Sequence, residues 1–395
     1  MVKKGYKQTE VGVVPEDWKI LKIKDIGYLT SGESPSHFEF STGHLPYFKV
    51  EQLNNSVKYQ IDTPYHTSSS KPIDMGSIIF PKRGAAISTN KFRLLAQPSL
   101  LDTNIMALTV TNEQVHNEYL FYWFIRKGLW QIADTTSVPQ INNKHILPLQ
   151  FPLPPFAEQE RIADALSDID SFLTALEKQI SKEKAIKQGA MQELLTGKRR
   201  LPGFAGEWKI CRLDEIADFP TATISTDQFD NRFYVGTDNM IAYKGDVKYN
   251  ELPLIYPKVR QYQTEDIILS NIRPYLQKIW YATRNGGCSN DVLVIRKKDG
   301  HAVEPKFLYY QLSRDGFYDE IMANAVGTKM PRGDKAIVKS YRINMPSDTA
   351  EQKAIASILS DADAEIKAME EKLAKYRQIK QGMMQQLLTG KIRLV

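Results

Sequence analysis

Leu153-Pro154-Pro155-Phe156 is the nearest approach in this sequence to the polar-Pro-Pro-aromatic motif with which an adenine methyltransferase grips a flipped base. That chemistry needs a polar acceptor for the exocyclic amine at the first position, and Leu153 offers none. The two prolines read better as the end of a strand just before a helix that opens near Glu158. Glu16-Asp17-Trp18-Lys19 has the acid-x-Lys spacing of a metal-dependent nuclease, yet it lacks a strand context and a partner carboxylate, and such short matches arise by chance. Gly197-Lys198 and Gly390-Lys391 are similar to the end of a phosphate loop. No Ser or Thr follows either lysine, and no glycine stands five residues earlier. The 6 His residues are dispersed, and Cys211 and Cys288 match no zinc or redox spacing. The expectation is a chain with no catalytic residue, no metal site and no cofactor.

The chemistry left to such a chain is polar contact with a polyanion. Phosphates are met by Lys, Arg and hydroxyls, while base edges favour Arg or Lys on guanine and Asn or Gln on adenine. One suitable run contains Lys82, Arg83, Thr89, Asn90, Lys91 and Arg93. A second contains Asn271, Arg273, Tyr275, Gln277, Lys278 and Arg284. Gln140 and Asn142 lie in a later loop of the first half, and Lys329 and Arg332 in the matching loop of the second. With 52 Lys and Arg against 46 Asp and Glu, the net charge of +6 is too mild to argue for nucleic acid by itself. Binding must rest on local patches, and for each residue alone a solvated surface role is the simpler reading.

The elements that would carry these loops follow from an internal repeat. Ala157 to Leu201 matches Ala350 to Leu394 without a gap, at an offset of 193 residues, from Glu158 to Glu351 and again from Gly197 to Gly390. In the first copy Ile162, Leu166, Ile169, Leu173, Leu176 and Ile180 alternate steps of four and three. Ile355, Leu359, Ala362, Ile366, Met369 and Leu373 repeat the pattern in the second. This is the seam of helices that wind about a partner. Each helix is expected to run for about 40 residues, or about 60 Å. An antiparallel pair within the chain is expected, with two separate surface helices or a homodimeric coiled coil as the other possibilities. Gly197 and Gly390 suit left-handed C-terminal caps. Gly189 and Gly382 lie inside the helices, where close helix contact or a local break would explain them equally well.

Looser repeats precede each helix: Trp18 to Ile26 answers Trp208 to Ile216, Tyr47 to Leu53 answers Tyr234 to Met240, and Tyr119 to Gly128 answers Phe307 to Gly316. Short β-branched and aromatic runs lie between, including Ser77 to Phe80, Ile105 to Val110, Ile267 to Leu269 and Val292 to Ile295. The fold class is α+β, with two pseudo-repeated globules joined by two long antiparallel coiled-coil helices. The boundaries read as a first globule over 1–156, a first long helix over 157–200, a second globule over 201–349 and a second long helix over 350–395.

Phe151 to Ala163, FPLPPFAEQERIA, resembles the segment that closes a recognition domain and opens the helix in specificity subunits of Type I restriction-modification systems. Asp74 to Ile87, DMGSIIFPKRGAAI, and Ser137 to Ile146, SVPQINNKHI, resemble the same family. The second copy from Asn344, NMPSDTAEQKAIA, keeps AEQ and loses the Pro-Pro pair. The resemblance implies double-stranded DNA with a bipartite target, one half per globule, and two modification (methyltransferase) subunits docked on the helices. Restriction subunits would join through that complex, with methylation and ATP-dependent cleavage supplied by the partners. The alternative from another class is a helical scaffold or regulator that binds proteins without reading DNA. No apolar run approaches membrane-spanning length, and the first residues lack the apolar block of a secretory signal, so a cytoplasmic location is expected.

Overall fold

The computed structural model describes residues 4–40, 43–69, 71–243, 245–251, 253–254, 256–325, 327 and 330–395. The chain forms two compact units, Met1–Lys178 with Glu371–Val395, and Gln179–Glu370. Each unit therefore combines one globule with a stretch of both long helices.

In the first unit the short apolar runs become a five-stranded sheet of β1 (Gly27–Ser31), β2 (Tyr59–Gln60), β3 (Ile78–Pro81), β4 (Arg93–Leu95) and β5 (Ile105–Val110), ordered β1-β5-β3-β4-β2. All four residues of β3 are buried, as an unbroken apolar run in a central strand requires. Helix α1 (Asn117–Lys127) buries six consecutive residues from Tyr119 to Phe124 and stops at Gly128, where φ is +82°. Strand Gln150–Leu153 pairs antiparallel with Lys19–Lys22, tying the end of the globule to its start. Pro154 and Pro155 then stop that strand, and the helix opens at Phe156, two residues before the expected Glu158.

The second unit repeats the plan with β6 (Ala217–Asp218), β7 (Ile267–Ser270), β8 (Ile279–Tyr281) and β9 (Val292–Lys297), ordered β6-β9-β7-β8 and antiparallel throughout. Strand Trp208–Arg212 pairs with Arg342–Pro346, as the closing strands of the first globule do.

The repeat forms two helices of equal length, α2 (Phe156–Leu194, 39 residues) and α3 (Thr349–Leu387, 39 residues). Gly197 and Gly390 follow them with φ of +74° and +68°, so both cap as the sequence anticipates. The pairing is antiparallel inside each unit. In the first, Asp170 meets Lys380 and Glu177 meets Arg377; in the second, Lys184 meets Glu370 and Lys187 meets Asp363.

The seam needs a correction. Ile162 and Leu166 join the core of the first globule, with Trp18, Phe80, Phe151, Met384, Leu387 and Leu388. Ile355 and Leu359 join that of the second, with Phe307, Leu308, Met191 and Leu194. The helix ends thus pack on globules as well as on helix, because each globule leaves an apolar face that its closing strand pair does not cover. Ile169, Leu173, Leu176, Ile180 and Ile366 are buried, whereas Ala362, Met369 and Leu373 are only half-buried. Within the first unit the rings of Phe172 and Tyr376, outside the expected seam, lie 4.5 Å apart.

The junctions exchange partners between the two copies. Glu158, at the start of α2, accepts from Arg393, after the end of α3, at 2.7 and 2.8 Å, and from the Trp18 indole at 3.1 Å. Glu351, at the start of α3, accepts from Arg200, after the end of α2, at 2.6 and 2.7 Å. Both carboxylates are buried, and burying a carboxylate is tolerable only with such bidentate pairing. A second matched contact lies one step inward. Asp170 accepts from Tyr122 and Lys380, and Asp363 accepts from Tyr310 and Lys187.

Candidate nucleic-acid interface

Apart from Arg93, which lies on β4, and Arg284, which lies beyond β8, the expected contact runs occupy the same connection in each globule, between β3 and β4 in the first and between β7 and β8 in the second. Each connection is clamped by a later proline loop. Arg83 bridges Gln140, and the Gly84 N–H donates to Pro139 O at 2.8 Å. Ile272 bridges Arg332, and the Arg273 N–H donates to Pro331 O at 2.8 Å. The two connections are therefore equivalent position by position: Lys82 with Asn271, Arg83 with Ile272, and Gly84 with Arg273.

In the first unit Arg83 is exposed, and its guanidinium has no hydrogen bond or ion pair among the described residues. Lys82 lies half-buried against Ser31 Oγ at 3.1 Å, and burial holds its ammonium below the usual lysine range. Thr89 is exposed and donates to Ala86 O; with half-buried Lys91 it lines a cavity of about 370 Å³. The other candidates hold the loop itself. Asn90 has φ of +50°, donates to Ile125 O and accepts from the Leu129 N–H. Gln140 exchanges backbone bonds with Asp134, and the Asn142 N–H donates to His145 Nδ1 at the start of a short helix.

Arg93 leaves the candidate set. It is 9% exposed and donates to Phe92 O and Leu53 O, and burial pushes its guanidinium down to about 10. Strand β4 turns it inward between two apolar neighbours.

Most cations of the second unit are also engaged. Lys278 donates to Thr237 O at 2.6 Å. Arg284 is caged by Phe233, Tyr249 and Trp280 with its guanidinium 5.0 to 5.1 Å from each ring, and its Nε is buried without a partner. Arg332 pairs with Asp291 at 3.1 Å. Gln277 reaches Asp315, and Asn271 is buried. Arg273 and Tyr275 remain exposed, and neither side chain has a hydrogen bond or ion pair among the described residues. Lys329 lies outside the described residues. Sequence reasoning singled out charge but missed engagement, and it missed Tyr122 and Tyr310 altogether. The looser repeat through Tyr119 and Phe307 contained that signal, since it aligns the two tyrosines.

The family of Type I restriction modification DNA specificity domains matches residues 15–184 and 205–377, one match for each globule with its following helix. The chain belongs to this family. It is 24% identical to the Type I restriction enzyme MjaVIII specificity subunit of Methanocaldococcus jannaschii, over 96% of this chain and 94% of that one. It is 20% identical to the EcoDI specificity subunit of Escherichia coli, over 96% of this chain and 90% of that one. The fold is shared with an S subunit from M. genitalium, with a TM-score of 0.61, 14% identity and coverage of 94% and 96%. A chain from a structure of type I R-M complex assembly gives 0.58, 16% identity and coverage of 96% and 99%. The specificity-subunit resemblance read from Phe151 to Ala163 thus holds across both halves, and so does the α+β repeat. No helix among the described residues is long and apolar enough to cross a membrane.

Proposed function

We propose that this specificity subunit reads a bipartite duplex, with the connection after β3 facing one half-site and the connection after β7 the other. The observation that carries this reading is the matched pair of clamped loops, each holding an exposed, unpaired guanidinium, Arg83 in one and Arg273 in the other. The recognition domains are 1–156 and 201–349, and the segments 157–200 and 350–395, which hold almost all of α2 and α3 with their glycine caps, set the gap and dock two modification subunits. Two features favour docking there. Ile186 and Ile379, at the repeat offset, are 53% and 40% exposed. Gly189 and Gly382 lie in unbroken helix, and a methyl group added at either would meet nothing within 4 Å. Neither a break nor a contact among the described residues accounts for these glycines, and the open space beside them would admit a closely packed partner.

The chain itself performs no chemistry in this reading. Methylation and ATP-dependent cleavage belong to the cytoplasmic partners, including restriction subunits that join through the complex. Selection from random duplexes by the chain with its modification subunits tests the proposal. Two short motifs at a fixed gap are expected. Capture of the modification subunits with no enriched sequence would favour a protein scaffold instead.

A further inference from the structure

At its clamped point each loop takes a positive φ, in addition to Asn90 and Gln277 further along the two connections. In the first unit that point is Gly84, with φ +78°, and a Cβ there would meet nothing within 4 Å. Crowding therefore does not require glycine; the left-handed φ favours it. In the second unit the equivalent residue is Arg273, with φ +52° and ψ +60°. An arginine there opposes the local backbone preference, and the surroundings must enforce it.

They do so from both sides. The Asn271 N–H donates to Asp291 O at 2.9 Å, and the Gly333 N–H donates to Asn271 O at 2.9 Å. Beyond the arginine, the Leu276 N–H donates to Arg273 O at 2.9 Å and the Tyr243 hydroxyl to Tyr275 O at 2.7 Å. Lys278, Arg284 and Arg332 are occupied elsewhere, as described above. Among the described candidate cations of this unit, Arg273 alone keeps an exposed and unpaired side chain.

We propose that Arg273 reads a guanine in the half-site of the second unit, its two terminal nitrogens donating to O6 and N7 in the major groove. The inference rests on the DNA-reading role proposed above. A phosphate contact needs charge alone, and a lysine on an unconstrained loop would supply it. A bidentate base contact gains from a side chain that leaves the backbone in a fixed direction, which a locked left-handed backbone provides, the fork itself settling on the base edge.

Target selection with the full chain and its modification subunits decides the matter, using Arg273→Ala, Arg273→Gly and Arg273→Lys. Arg273→Ala and Arg273→Gly are each expected to lose the preference for guanine at one position of one half-site by about 5- to 150-fold, leaving the other positions intact, and Arg273→Lys, with a single ammonium in place of the fork, to lose part of it. Arg273→Gly should also melt at a higher temperature than the wild type, so its loss of selectivity cannot come from misfolding. Uniform weakening on all sequences, a shallower salt dependence and rescue by lysine would identify a phosphate contact and overturn the inference. So would an unchanged motif in Arg273→Gly, or a wild-type motif whose affected half-site contains no G·C pair. If the wild-type complex enriches no sequence, the DNA-reading proposal fails and takes this inference with it.

Discussion

Asp170 and Asp363 offer an internal comparison, because the same three side-chain types meet at both and only the burial differs. The Asp170 side chain is 10% exposed and its Lys380 partner 19%, whereas Asp363 is 42% exposed and Lys187 21%. Asp170→Ala strands a largely buried ammonium and the Tyr122 hydroxyl, which donates to Asp170 at 2.9 Å. Breaking a buried pair on one side costs about 3 to 5 kcal/mol, and the remaining exposure selects the lower end, about 3 kcal/mol. Lys187 is about as buried as Lys380, but at the more exposed Asp363 position water can replace the lost carboxylate beside it, leaving chiefly the Tyr310 hydrogen bond at 2.8 Å; the expected loss is about 1.5 kcal/mol. Native-state hydrogen exchange reads each unit separately. Amides of α1 should exchange about 150-fold faster in Asp170→Ala, and amides of helix Pro305–Leu312 about 10-fold faster in Asp363→Ala, taking about 1.4 kcal/mol per decade. Equal accelerations, or the reverse order, would refute the argument that burial sets the cost.

Other outcomes follow from the same geometry. Arg393 hydrogen-bonds Asp17 and holds its carboxyl below the usual range. Its contribution to stability should be complete above about pH 4 and fade as the pH falls through the lowered folded value; a pH series of unfolding in which Arg393→Met leaves the acid limb unchanged would contradict this. Arg93→Met should destabilise the first unit by about 1 to 3 kcal/mol in urea, since Leu53 O loses its buried donor, while the selected DNA motif stays the same. A changed motif would return Arg93 to the interface. Four helix-forming residues added to both long helices, after Lys178 and after Glu370, lengthen each by about 6 Å with a net turn of about 40°. One base pair rises about 3.4 Å and twists about 34°, so selection should recover the same half-sites with a gap one or two base pairs longer. An unchanged gap would mean that the helices do not set it.

The helices, their glycine caps and four of the core strands were legible because each depends on local pattern: an apolar period, a Gly after the last turn, a β-branched run between turn residues. Partner exchange at the junctions was not, since Glu158 and Arg393 are 235 residues apart and neither carries a local sign of the other. Free and engaged cations were equally hard to separate. Arg93 and Arg273 look alike as letters, yet one is turned inward by a strand and the other held outward on a clamped loop. The apolar neighbours Phe92, Leu94 and Leu95 were the available warning for Arg93. The alignment of Pro139 with Pro331 was the available clue to Gly84 and Arg273.

The division of the chain also fixes an order of events during synthesis. Residues 179–370 are contiguous and can close their core as soon as they have emerged. The first unit cannot, because Met384, Leu387 and Leu388 belong to its core, and Arg393 neutralises its buried Glu158. The globule that leaves the ribosome first is therefore completed last, with an apolar face and a carboxylate waiting through the translation of almost 200 further residues, at about 5 to 20 residues per second. A chain that stops short of α3's final turns would keep that face open, a direct handle by which chaperones and proteases could distinguish unfinished copies from finished ones.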